Sequence, residues 1–180
     1  MKAFIRDVLG TIILAVIIFL SLQFTIQSFI VIGESMEDSF LDRDRLLVLK
    51  YGLAYLLHEP ERGDVTIFHP PINLNDDYIK RIIGLPGDTV EIKKGTVYIN
   101  GTSLDEPYVK EPSYYTLVPT DVPKNHYFVL GDNRNNSNDS HNGWTVPSEN
   151  VIGKAWLSIW PPSQWGLAPN YALDEPMAGS

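Results

Sequence analysis

The chain has 180 residues with 14 Lys and Arg against 22 Asp and Glu, a formal net charge of −8, and no cysteine. That length suits one compact domain with an appendage and excludes a large multidomain enzyme; the missing cysteines exclude disulfides, thiolate metal sites, iron–sulfur clusters and a thiol nucleophile. The acidic balance argues against a nucleic-acid partner, whose usual footprint is a basic face.

A mean hydropathy of −0.07 hides an uneven distribution of charge. Lys2, Arg6 and Asp7 stand at the N-terminus, and residues 8–33 then carry no Lys, Arg, Asp or Glu. The apolar run Ile12–Leu22 sits inside that stretch, which exceeds the about 20 residues a helix needs to cross a roughly 30 Å hydrocarbon core. A buried core helix would show a polar stripe, yet none appears before Gln23, Thr25, Gln27 and Ser28. A cleaved signal has a shorter apolar stretch and a small-residue cleavage site, and no A-x-A-like pattern follows Leu22. The sequence therefore predicts an uncleaved transmembrane anchor over 8–30. Residues 1–7 are expected on the cytoplasmic side, because Lys2 and Arg6 precede the span. Residues 34–180 keep 12 basic and 21 acidic side chains, a net charge of −9.

The rest of the chain reads as mainly β. Short β-branched or aromatic runs occur at Leu46–Leu49, Val65–Phe68, Val90–Ile92, Val97–Ile99 and Tyr127–Leu130. Gly63-Asp64, Pro86-Gly87-Asp88, Lys94-Gly95, Asn100-Gly101 and Gly131-Asp132 separate them with turn residues. Val90–Ile92 and Val97–Ile99 predict a hairpin around Lys93-Lys94-Gly95. Gly52–His58 is a short helical candidate, and 13 prolines disfavour long helices elsewhere. The expected organisation is one all-β domain over 31–170 with a small irregular β excursion at about 94–125, then a flexible tail over 171–180.

Three segments carry possible chemistry. Ser35, in Gly33-Glu34-Ser35-Met36, is either a turn residue or a nucleophile at the foot of the anchor. Lys80 lies between Ile79 and Ile82. It is either a solvated strand lysine or a base whose pKa is lowered by apolar surroundings, able to accept a serine's proton. Gly131–Gly143 has no aliphatic side chain and is either a solvated turn or, since Asp and Asn recur, a calcium loop; the EF-hand spacing is not met there. Phe29–Ile32 with Trp156, Trp160 and Trp165 could rest in a bilayer interface, or the tryptophans could be core.

Taken together, these blocks resemble the bacterial type I signal peptidases, membrane-anchored serine proteases that remove signal peptides from exported preproteins. The resemblance is carried, in order, by Ser35-Met36 after the anchor, Arg62–Phe68, Lys80–Asp88 and Gly131–Ser140, and runs to about Trp160. It implies an all-β catalytic domain in which Ser35 is the nucleophile and Lys80 the general base. Ser137 would hold the lysine amine, and Asp139 would stiffen its loop. Met36 would border the pocket for the residue before the cut, while Phe29, Val31, Phe40, Tyr78 and Ile79 would shape shallow pockets that admit small residues of the A-x-A type. Secretory preproteins and the lipid bilayer are the expected partners, with the protein export machinery a candidate. No metal or organic cofactor is implied, and the expected location is a single pass through the plasma membrane. Three positions depart from the family pattern: Glu37-Asp38-Ser39-Phe40 replaces x-Pro-Thr-Leu, Gly33 stands where some members carry serine, and His141 replaces a common arginine. Two other readings are a tethered peptide-binding β domain without catalysis, and a Ser-His peptidase using His58, His69, His126 or His141.

Overall fold

The computed structural model of the chain describes residues 2–37 and 39–173. Its first element is helix α1, Lys2–Thr25, whose 24 residues at 1.5 Å each reach about 36 Å. It is long and apolar enough to cross a membrane, and none of that span is buried against the rest of the chain.

The helix stops five residues short of the expected end of the anchor. Ile26–Ile30 forms strand β1 and pairs antiparallel with β2, Arg45–Lys50, placing Ile26 opposite Leu49 and Ile30 opposite Arg45. The reason is local: Gln27 and Ser28 interrupt the apolar run, and the β2 edge satisfies the backbone groups they would otherwise expose. The expected helix at 52–58 shrinks to α2, Tyr51–Ala54.

Ten further strands follow: β3 Val65–Phe68, β4 Tyr78–Gly84, β5 Thr89–Lys93, β6 Thr96–Ile99, β7 Thr102–Ser103, β8 Leu117–Asp121, β9 His126–Leu130, β10 Val146–Pro147, β11 Val151–Trp160 and β12 Gly166–Leu167. Among the described residues they make two antiparallel sheets. The larger has the order β1-β2-β11-β3-β4-β9-β10, with β12 on β11, and the smaller has the order β7-β6-β5-β8. The predicted hairpin is β5–β6, turning at Lys94 and Gly95 with φ of 50° and 79°, a two-residue turn that suits the strand twist. The small sheet starts at Thr89, before the expected excursion, and its irregular part is the stretch from 104 to 116.

Three apolar clusters hold these layers. One joins the small sheet to Ile83, Phe128 and Leu130; one gathers Val31, Met36, Phe40, Leu46, Val48, Val65 and Ile67 under the β1–β2 end; a third packs around Phe68, Ile82, Tyr127 and Val129. The C-terminal stretch is ordered beyond the expected boundary. The Asn170 side chain accepts from Val65 N at 2.8 Å and donates to Ala155 O at 2.9 Å, and Tyr171 and Leu173 pack on the first cluster. The remainder of the expected tail, 174–180, lies outside the described residues.

Candidate active site

Ser35 sits in a turn immediately beyond β1. Gly33 adopts φ +89°, a left-handed conformation that glycine takes without steric cost, and its N–H donates to Asp42 Oδ1 at 2.8 Å. The next turn closes on itself through Phe40 N to Met36 O at 2.8 Å. That closure sends Met36 and Phe40 into the core beneath the serine, where both are fully buried. They support the cleft from below and do not line its wall, contrary to expectation. Asp38, within the departure noted above, lies outside the described residues.

Lys80 comes from the middle of β4, with Thr66 of β3 as its register partner. Only 4% of the residue is exposed, and its Nζ lies 2.6 Å from Ser35 Oγ and 2.9 Å from Ile79 O. Burial lowers its pKa to about 8, against smaller opposing effects of the Asp139 and Asp132 carboxylates. A neutral amine in hydrogen-bond contact with a hydroxyl is the geometry of a nucleophile and its base.

The loop after β9 clamps the serine turn. Asn133 N donates to Ser35 O at 3.1 Å, Asn133 Nδ2 to Glu34 O at 3.1 Å, and Asn136 Nδ2 to Glu34 Oε2 at 3.0 Å. Gly131 is required by close approach, since a Cβ there would lie 2.4 Å from Ser35 O and 2.3 Å from Ser137 Oγ. Asp139 is completely buried. It accepts from Gly131 N at 2.9 Å through Oδ2, and its Oδ1 lies 2.7 Å from His141 Nδ1. The Ser137 hydroxyl is buried without a hydrogen-bond partner among the described residues. The expected bond from Ser137 to the lysine amine is therefore absent; that amine contacts Ser35 and the Ile79 carbonyl instead.

Sequence reasoning missed the neighbour that holds this region together. Arg81, one residue along β4, points to the opposite side of the strand and grips Asp132 through Nε at 2.9 Å and Nη2 at 2.6 Å, with both side chains fully buried. Ser39 Oγ donates to the same carboxylate at 2.5 Å, and the guanidinium also donates to Gly63 O and Pro169 O. The one available signal was an arginine embedded in Ile79–Ile83, which demands a carboxylate partner.

A cleft of about 880 Å³ runs between β1 and the first half of β4. Phe29, Val31, Tyr78 and Ile79 line it and lead to Ser35 and Lys80. β1 is an edge strand, and Tyr78–Lys80 pairs with β3 on one side while pairing with β9 begins only at Arg81. Two strand edges thus border the cleft, which suits an extended peptide that adds as a strand. No histidine lines it among the described residues: His141 faces Asp139, His126 faces Thr145, His69 faces Asp77 and His58 lies beside Glu61.

A family model described as "Signal peptidase, peptidase S26" matches residues 4–160. The chain belongs to the S26 signal peptidases. Among similar curated proteins of this family is a "Probable signal peptidase I-2" of Synechocystis, 42% identical over 171 residues, which span 92% of this chain and 78% of that protein. A "Probable signal peptidase I-1" of the same organism is 40% identical over 94% of this chain and 90% of its own length, and "Signal peptidase IB" of Staphylococcus aureus is 34% identical over 91% and 93%. These matches span 91–94% of this chain, so the family assignment extends from α1 through the β domain. As an S26 signal peptidase the protein is a serine endopeptidase of signal-peptide processing.

Proposed function

We propose that this signal peptidase cuts exported preproteins by a Ser35–Lys80 pair, with Ser35 Oγ attacking the scissile carbonyl and Lys80 Nζ taking the hydroxyl proton. Its main support is the 2.6 Å contact between the serine hydroxyl and a buried lysine whose pKa is lowered. As the tetrahedral intermediate collapses, Lys80 returns that proton to the leaving amine. The backbone N–H of Ser35 serves the developing oxyanion. Asp139 acts from behind, fixing the loop that carries Gly131 against the Ser35 carbonyl, and Ser137 fills the space beside Gly131. Phe29, Val31, Tyr78 and Ile79 make the wall of the cleft and select small residues before the cut by excluding bulk. In this reading α1 is a single membrane span with Lys2 and Arg6 on the cytoplasmic side of the plasma membrane, and the β domain works outside.

The test is cleavage of a model preprotein by the detergent-solubilised chain, with sequencing of the new N-terminus. Ser35→Ala and Lys80→Ala should each abolish the product. Normal processing by the Lys80→Ala protein overturns the assignment of the base.

A further inference from the structure

The strand register gathers three parts of the chain at one end of the large sheet. Ile26 lies opposite Leu49, Lys50 opposite Gly153, Val151 opposite Phe68, and Phe68 opposite Tyr78. The end of α1, the segment after β2 and the loop joining β3 to β4 therefore all leave the sheet along this row. Two contacts fix the arrangement: Lys50 Nζ donates to Gln23 O in the last turns of α1 at 3.0 Å, and His69 N donates to Asn150 O at 3.0 Å beside the start of β11.

Both segments are out of character for a domain of net charge −9. Residues 51–57 read Tyr-Gly-Leu-Ala-Tyr-Leu-Leu and residues 70–75 read Pro-Pro-Ile-Asn-Leu-Asn, with no charge in either. Tyr55 turns inward to pack on the cluster around Phe68. Leu56 and Leu57 are left 70% and 92% exposed, and across the row Ile72 and Leu74 are 54% and 60% exposed. Large aliphatic side chains on uncharged loops, next to the exit of an apolar helix, match the chemistry of a lipid surface. Trp160, by contrast, is the register partner of Arg45 at the other end of β2 and β11.

We propose that segments 51–57 and 70–75 are a two-loop seat that inserts Leu56, Leu57, Ile72 and Leu74 into the bilayer interface beside α1. The inference rests on α1 being the membrane span. The seat gives the cleft a fixed height and direction. Gln27, Ser28 and Asn75–Asp77 line the cleft at the seated end, so a peptide emerging from the bilayer enters there. Lys80 lies three strand residues further along, about 10 Å.

The absence of cysteine permits a clean test on the full chain. Leu14→Cys, Leu57→Cys, Leu74→Cys and Val118→Cys are each labelled with an environment-sensitive fluorophore and reconstituted into phosphatidylcholine–phosphatidylglycerol vesicles carrying spin-labelled lipid. Val118, exposed on the small sheet, is the control. The expected result is quenching of Leu14 by deep spin labels, quenching and a blue shift of Leu57 and Leu74 with shallow labels, and neither at Val118. A quenched Leu14 with either loop position at the Val118 level overturns the seat and leaves the anchor standing; an unquenched Leu14 overturns the anchor reading itself. The double change Leu57→Asp, Ile72→Asp should lower cleavage of a vesicle-inserted preprotein while leaving cleavage of a short peptide in detergent unchanged. Equal loss on both substrates contradicts the seat.

Discussion

Burial of Lys80 on β4 lowers its pKa to about 8, so at pH 7 roughly one amine in ten is neutral and ready to accept the Ser35 proton. In the proposed mechanism kcat/KM rises about tenfold per pH unit below pH 8 and levels off above it. A profile still rising steeply at pH 10 would contradict a dry base. The same shift has a stability consequence of defined sign. Below pH 8 the folded and unfolded chains both carry the ammonium, and only the folded one bears its desolvation. Between about pH 8 and 10.5 the folded chain sheds the proton while the unfolded chain keeps it, so Lys80 becomes less destabilising by up to about 1.4 kcal/mol per pH unit. Denaturant titrations at pH 7 and 10 should show the wild type gaining relative to Lys80→Met at the higher pH. Gly131 offers a second test at this scale. In Gly131→Ala the added methyl would meet Ser35 O at 2.4 Å, so the loop must shift and carry the nucleophile with it. The expected outcome is a loss of kcat of about a hundredfold, with a folded circular-dichroism spectrum.

At the scale of elements, the loop after β9 is held from outside by His141. Its ring stacks on Tyr115 at 4.1 Å and 17° and contacts the Asp139 carboxylate, linking the irregular part of the small sheet to the catalytic loop. Removing that ring leaves Asp139 with backbone donors alone. His141→Ala should retain most of the cleavage rate, lower stability by about 1–2 kcal/mol, and be rescued in thermal unfolding by His141→Arg. A complete loss of activity in His141→Ala with no loss of stability would point to histidine chemistry instead. Strands β3, β5, β6 and β9 were legible in the sequence because each is a compact β-branched or aromatic run bounded by turn residues. β1 was not, because Ile26–Ile30 follows the apolar helix with no Gly, Pro or charge to mark a boundary, and Gln27 and Ser28 alone do not distinguish a strand from a polar helix end. β11 was not, because Gly153, Lys154 and Ser158 obscure its alternation and the strand shifts register between Ala155 and Leu157 and again between Ser158 and Trp160. In the site, Ser35, Lys80 and the cleft walls at Phe29, Val31, Tyr78 and Ile79 were readable from the ordered blocks. The Arg81–Asp132–Ser39 network was not, since its members lie 42 to 93 residues apart pairwise with no local pattern to join them.

For the whole molecule, the same cations that flank the site tie the two sheets together. Arg134 makes a paired contact with Glu106 at 2.9 and 2.5 Å, and Arg81 stacks over Tyr108 at 4.0 Å with Tyr171 on the same side at 5.0 Å. Glu106 and Tyr108 belong to the irregular stretch of the small sheet, Arg81 to β4, Arg134 to the loop after β9, and Tyr171 to the C-terminal segment, so four distant parts of the chain meet around two guanidinium groups. Such a cluster is stable only while every buried charge keeps its partners. Asn170 is the latch that holds the C-terminal segment in place, because its side chain accepts from β3 at Val65 N and donates to β11 at Ala155 O. Asn170→Ala leaves a buried backbone N–H and carbonyl unpaired and frees Tyr171 from the Arg81 face. The expected cost is about 2–4 kcal/mol from the two lost bonds, read as a lower midpoint in denaturant at unchanged slope, with cleavage at low temperature nearly intact because none of the displaced atoms borders Ser35. If Asn170→Ala instead removed activity without moving the midpoint, the C-terminal segment would have to act on the cleft directly, and the latch would be misassigned.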